Sequence, residues 1–178
     1  MSEDESMAWR PRRDPLPDEV RAALQLRRKE RILTTTPDRA GRWHVATDQA
    51  LHLDADDGHR RVPWHCVDRA TWDRDTEQLV IFEVADFGQP QPRYALDIAE
   101  PGQLLEVVRE RVTASIVLSR HVPVAGSRGL KVVARRPPAG DGGVSWSFWL
   151  DNGLEPDTPE VVEAANRGLA EARAELGL

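Results

Sequence analysis

Gly41-Arg-Trp-His-Val-Ala-Thr-Asp-Gln-Ala-Leu-His-Leu53 is the stretch on which the reading of the fold turns. Trp43 and Val45 alternate with His44 and Ala46, the period-two pattern of a strand. Thr47-Asp48-Gln49 reads as a tight turn, where short polar side chains hydrogen-bond the nearby backbone. Ala50-Leu51-His52-Leu53 then returns as a second strand, so the stretch is predicted to be a β-hairpin.

The same texture continues on both sides. Ile32 and Leu33 open a strand ended by Pro37-Asp38, and Asp54-Ala-Asp-Asp-Gly58 supplies the next turn. Arg60 to Pro63 and Cys66 to Trp72 follow as strands. Asp73-Arg-Asp-Thr76 turns the chain into Leu79-Val-Ile-Phe-Glu-Val84, the most apolar strand. A loop from Gly88 to Pro92 leads to Arg93-Tyr-Ala-Leu-Asp-Ile98. About seven short strands spaced by turn signals predict an antiparallel barrel or sandwich.

From Pro101 to about Val112 the period changes to that of a helix, with Leu104, Leu105, Val107, Val108 and Val112 on one face. Strands are predicted again at 114–124, 130–135 and 144–150, with Gly140-Asp-Gly-Gly as a turn before the last. The 114–124 strand either closes the first sheet or opens a second layer. Asp157-Thr-Pro-Glu starts a final helix: Thr158 can cap it and Pro159 suits its first position. Val161, Val162, Ala165, Leu169, Ala172 and Leu176 mark its apolar face, and Gly177 follows its end. Ahead of the strands, Leu16 to Leu24 reads as a short helix, and polar, proline-interrupted residues 1–15 as a flexible tail.

Seven strands followed by an amphipathic helix is the element order of the pleckstrin-homology superfold. The 41–53 hairpin resembles that of bacterial PH-like and GRAM-type domains, and Arg61-Val-Pro-Trp-His-Cys-Val67 is similar to their entry into the following strand. The whole chain resembles an actinobacterial protein family carrying such a domain. The resemblance to the PH-like fold covers roughly residues 30–120 and implies an antiparallel barrel of about seven strands capped by a helix; with the strands and helix read beyond it, an α+β protein with a C-terminal antiparallel sheet-and-helix extension is expected. The expected divisions are a tail at 1–15, a PH-like domain with its leading helix at 16–120, and the extension at 121–178, the boundary falling between 112 and 125. It also implies a non-catalytic interaction or scaffolding module, since such folds accept peptides in a groove between a strand edge and the helix. Lipid-binding members need several cations around the first hairpin loop. Here Arg39 and Arg42 are offset by Asp38, so a membrane partner is not expected.

At 178 residues the chain can bury a core without disulfide or metal staples. Cys66 is the only cysteine, which excludes a disulfide scaffold. No apolar run approaches the roughly 20 residues of a spanning helix. Met1-Ser-Glu-Asp-Glu-Ser has no apolar core of a secretory signal, so a cytoplasmic location is expected.

Net charge is −6, but it is unevenly spread. Residues 1–37 sum to +1 (8 basic, 7 acidic) and 38–100 to −6 (7 and 13); 101–137 sum to +5 (7 and 2) and 138–178 to −6 (2 and 8). Clustered on one face, Arg109, Arg111, Arg120, Arg128, Lys131, Arg135 and Arg136 would attract an anionic partner. Alternatively Arg109 and Arg111 decorate a helix and the others pair with the acidic final helix. Trp146 and Trp149 have odd separation, so they face opposite sides of a regular strand. With Trp146 and Phe148 inward, Trp149 becomes an exposed aromatic anchor. The candidate interaction surface is therefore Arg109, Arg120, Arg128, Lys131, Arg135, Arg136 and Trp149. The favoured partner is a protein bound through a strand edge or the 114–150 surface; the alternative is nucleic acid on the basic 109–136 segment, and a peripheral membrane adaptor ranks behind both.

No cofactor, metal or catalytic residue is expected. His44, His52, His59, His65 and Cys66 lie within 23 residues, but none of their spacings is that of an ordered zinc site. Exposed or capping histidines are expected instead. Asp54-Ala-Asp-Asp-Gly58 lacks the glycine and glutamate positions of a calcium loop. Asp73 and Asp75 fit turn positions better than acid–base work. Ser119, His121, Ser145 and Ser147 lack a nucleophile elbow or an acidic partner.

Overall fold

A computed structural model describes residues 16–138 and 142–178. The tail at 1–15 and part of the 140–143 turn lie outside the described residues. α1 (Asp18–Ala23) precedes four strands, β1 (Ile32–Pro37), β2 (Trp43–Thr47), β3 (Ala50–Ala55) and β4 (Gly58–Pro63). A 3-10 turn at Trp64–Cys66 leads into β5 (Val67–Asp73), β6 (Gln78–Glu83) and β7 (Arg93–Leu96). Then come α2 (Gly102–Ser115), β8 (Ile116–Ala125), β9 (Arg128–Arg135), β10 (Ser145–Leu150) and α3 (Pro159–Glu175).

The strands form three antiparallel sheets, ordered β1-β2-β3-β4, β5-β6-β7 and β10-β9-β8. The protein is thus α+β, but the expected barrel does not close. The 3-10 turn separates β4 from β5, and among the described residues no ladder joins the β1–β4 sheet to the β5–β7 sheet. The 41–53 hairpin forms as read, with Val45 opposite His52 and Ala46 opposite Leu51. β8 pairs with β9 and opens a separate layer. No helix among the described residues is long and apolar enough to cross a membrane.

Among the described residues the buried apolar side chains form two cores. Leu51, Leu53, Trp64, Leu79, Ile81 and Ile98 fill the first, closed by Leu104, Leu105, Val108 and Val112 of α2. Trp64 is completely buried, and its indole donates to the Thr47 carbonyl at 2.9 Å. The second core lies between the β8–β10 sheet and α3: Val122, Leu130 and Val132 meet Val161, Ala164, Ala165 and Ala172.

α3 buries Val161, Ala165 and Ala172 as expected, but one edge of its face is shifted. Val162 is exposed, and Ala164 and Gly168 are buried in its place. The cause is close approach to the sheet: a Cβ on Gly168 would stand 2.5 Å from Val122 Cγ2 and 3.0 Å from Val132 Cγ2. Thr158 occupies the N-cap position, yet its hydroxyl donates to the Glu155 carbonyl instead of capping. Gly168→Ala is therefore expected to lower stability by roughly 1–3 kcal/mol through overpacking. This outweighs the gain of about 1 kcal/mol that alanine brings to a helix. The urea midpoint measures the effect, and an unchanged or higher midpoint would refute the close-packing account.

Candidate ligand cleft

Sequence alternation along β9 puts Lys131, Val133 and Arg135 on one face of the third sheet, away from α3. On the neighbouring strands, register places Ser119 and Ser147 opposite Val133, and His121 and Trp149 opposite Lys131. One end of this face packs against β5 and α2, and the other stays open. Between them lies a cleft of about 280 Å³, lined by Asp68, Arg69 and Ala70 of β5 and Arg109, Val112 and Thr113 of α2. Ile116, Ser119, Lys131, Val133, Arg135 and Trp149 form its opposite wall.

Asp68 is the hub of the closed end. Its Oδ1 accepts from Arg135 and from the Trp149 indole, each at 3.0 Å. Its Oδ2 accepts from Arg69 and Gln91, also at 3.0 Å. Arg135 is 1% exposed and also donates to the Asp68 carbonyl and the Ser147 hydroxyl, while its Nε is buried without a partner. Burial pushes its guanidinium pKa down, with the Asp68 charge opposing. An arginine nevertheless stays protonated, so this is a buried ion pair. Arg69 lies over the Phe82 ring, 3.8 Å from its centroid, which fixes its head at the cleft's edge.

The open end has different chemistry. Arg109 and Lys131 are exposed and have no ion-pair partner among the described residues. Trp149 keeps 42% of its surface exposed, and Ile116 38%. With all of Asp68's oxygens engaged, the cleft carries excess positive charge on largely apolar walls.

Of the seven residues anticipated as an interaction surface, Arg109, Lys131, Arg135 and Trp149 meet here. Arg135 is not a surface cation as anticipated: β5 covers it, and Asp68 neutralises it. Arg120 turns to the other face of its sheet and pairs with Glu171 and Glu175 of α3. Arg128 sits at the β8–β9 turn and Arg136 lies beyond β9, both outside the cleft. Arg111 pairs with Glu110. The basic segment is dispersed, not gathered on one face. Asp68 was missed: β5 mixes polar and apolar residues throughout, so nothing local marked this carboxylate as the buried one.

The histidines are also placed differently. His44 and His52 are fully buried, not exposed. His52 Nε2 lies 3.2 Å from Glu30 Oε1, and His52 Nδ1 lies 3.1 Å from His59 Nε2. Burial alone would raise the Glu30 carboxyl. Hydrogen bonds from the Thr47 hydroxyl, the Arg27 N–H and His52, with the Arg61 charge, outweigh it and hold the pKa at about 2. Burial pushes His52 down, leaving it neutral. An ionised Glu30 only accepts, so His52 Nε2–H donates to it and His52 Nδ1 accepts from His59. The described residues hold no group of three or more His, Cys, Asp or Glu side chains arranged for a metal ion. Burial pushes the Cys66 thiol up, opposite to the shift that activates a nucleophilic thiolate.

No protein-family model, curated protein or solved structure matches the chain. The class of molecule is therefore defined by its α+β architecture of three antiparallel sheets and by one amphipathic, cationic cleft.

Proposed function

We propose that the chain is a non-catalytic, cytoplasmic interaction module that binds a segment of a protein partner in the cleft between α2, β5 and the β8–β10 sheet. One observation carries this reading: two cations without an ion-pair partner among the described residues, Arg109 and Lys131, flank a half-exposed tryptophan on apolar walls. Exposed aromatics beside cations are the usual anchors of protein interfaces. β5 is also an edge strand, paired only with β6, and it lies beside α2. A strand edge next to a helix is the groove that PH-like domains offer to peptides. Four strands, then three, then α2 is the order expected of such a domain, so residues 16 to about 115, an end within the expected 112–125 boundary, are read as a PH-like unit left open. Its first hairpin loop gives no support to lipid binding, because Arg42 pairs with Asp38 and Asp56, and Arg39 with Glu77 and Asp97. Dispersal of the 109–136 cations likewise disfavours nucleic acid, which needs a continuous basic surface.

A photo-crosslinking residue placed at Thr113, inside the cleft, tests this in lysate of the native cells. The same residue at Glu163, on the outer face of α3, is the control. Expected is a reproducible protein adduct from Thr113 alone, lost in Arg109→Glu/Lys131→Glu. Equal adducts from both positions, or insensitivity to the charge reversal, would overturn the assignment.

A further inference from the structure

The walls of the cleft define the chemistry of its occupant, on the reading that a partner segment binds there. Three cationic heads, from Arg69, Arg109 and Lys131, reach the cleft from three different elements. Its one carboxylate, Asp68, is consumed by four donors and offers nothing to a cationic ligand. The remaining lining is dominated by Trp149, Val112, Ile116, Val133 and Ala70. A ligand that fits must bring negative charge and an apolar body together. The cleft of about 280 Å³ is at the lower end of small-molecule pockets, which suits one large side chain and a neighbour.

Register fixes the distance between the two subsites. Lys131 and Trp149 are direct cross-strand partners, so their side chains stand together on one face, about 5 Å apart at Cβ. In an extended peptide, residues i and i+2 point the same way, roughly 6.5–7 Å apart. The flexible stem of Lys131 covers the difference. We propose that the cleft recognises an extended acidic-x-aromatic segment of a protein partner. The carboxylate is held between Arg109 and Lys131, and the aromatic ring lies against Trp149, Val112 and Val133.

Capped hexapeptides Gly-Glu-Ala-Phe-Ala-Gly, Gly-Gln-Ala-Phe-Ala-Gly and Gly-Glu-Ala-Ser-Ala-Gly serve as probes of the full chain. Binding is followed in ¹H–¹⁵N spectra through the Trp149 indole signal, assigned with Trp149→Phe. The Glu/Phe peptide is expected to bind about tenfold more tightly than either control and to weaken with salt. Arg109→Gln and Lys131→Gln, both exposed and without ion-pair partners among the described residues, should each reduce binding about fivefold without disturbing the fold. Equal binding of the Gln peptide, or shifts of the same residues by oligo-thymidylate at lower concentration, would overturn the proposal. Peptide discrimination without any adduct at Thr113 would support the acidic-x-aromatic chemistry and count against the protein partner. An adduct without peptide discrimination would do the reverse.

Discussion

Asp68→Ala is expected to lower stability by about 3–5 kcal/mol, the cost of leaving a buried charge without its partner. Arg135 is 1% exposed, so its guanidinium cannot turn to water when the carboxylate is removed. The Trp149 indole loses its acceptor at the same time. Arg135→Met is the informative comparison, because it removes the cation and keeps much of the volume. Asp68 then retains Arg69, Gln91 and Trp149, and the loss should be smaller. Combining Asp68→Asn with Arg135→Met should be milder than the sum of the two single changes, since neither charge is then stranded. Urea unfolding of the single and double variants measures these differences. A loss below about 1 kcal/mol in Asp68→Ala would show that the pair is not buried in the folded protein.

Glu30 governs the response to acid. Its pKa falls from 4.5 in the unfolded chain to about 2 in the folded one, so its stabilisation is fully present above pH 4.5. It is lost as pH falls from 4.5 towards 2. The span corresponds to a contribution on the order of 3 kcal/mol at neutral pH, with roughly 2 kcal/mol gone by about pH 3. Glu30→Gln removes the titration. Its stability deficit against the parent protein should therefore be largest at pH 7 and shrink markedly at about pH 3. Urea midpoints for both proteins across this range provide the measurement. A deficit that stays constant with pH would mean that the carboxylate carries no depressed pKa.

The order of elements was legible because the turns announce themselves. Thr47-Asp48-Gln49, the aspartates before Gly58 and Asp73-Arg-Asp-Thr76 each separate two strands, and Asp73 Oδ1 accepts the backbone N–H groups of Asp75 and Thr76. Alternation in β10 also placed Trp149 correctly, on the face opposite Trp146. Closure was not legible, because whether β4 joins β5 depends on how sharply the chain bends at Trp64–Cys66, which no local pattern encodes. Arg135 was misread for a similar reason. It shares a face with Lys131, and only the position of β5 over that face decides that one is buried and the other exposed. In α3, hydrophobicity pointed rightly to Val161, Ala165 and Ala172 and wrongly to Val162, and it passed over Ala164 and Gly168. The deciding quantity was size, since Gly168 and its alanine neighbours allow the helix to sit close to Val122. Charge summed by segment did foresee Arg120, which pairs with Glu171 and Glu175 of the acidic final helix about fifty residues away, but it named the wrong partner for Arg135, which pairs with Asp68.

α2 ends at Ser115 and β8 begins at Ile116, with no residue between. The Ser115 hydroxyl donates to the Val112 carbonyl at 2.7 Å, and its own carbonyl accepts from the Arg136 N–H at 2.9 Å. The two jaws that face each other across the cleft are thus one continuous piece of chain bent at a single pivot. The Asp68–Arg135 pair acts as a tie-bar close to that pivot, because Arg135 stands opposite Ile116. Spreading the jaws requires the backbone at Ile116 to rotate or the tie-bar to break, so the gape is fixed before anything enters. Any rotation there would swing α3, bolted to the back of the same sheet, through the same angle.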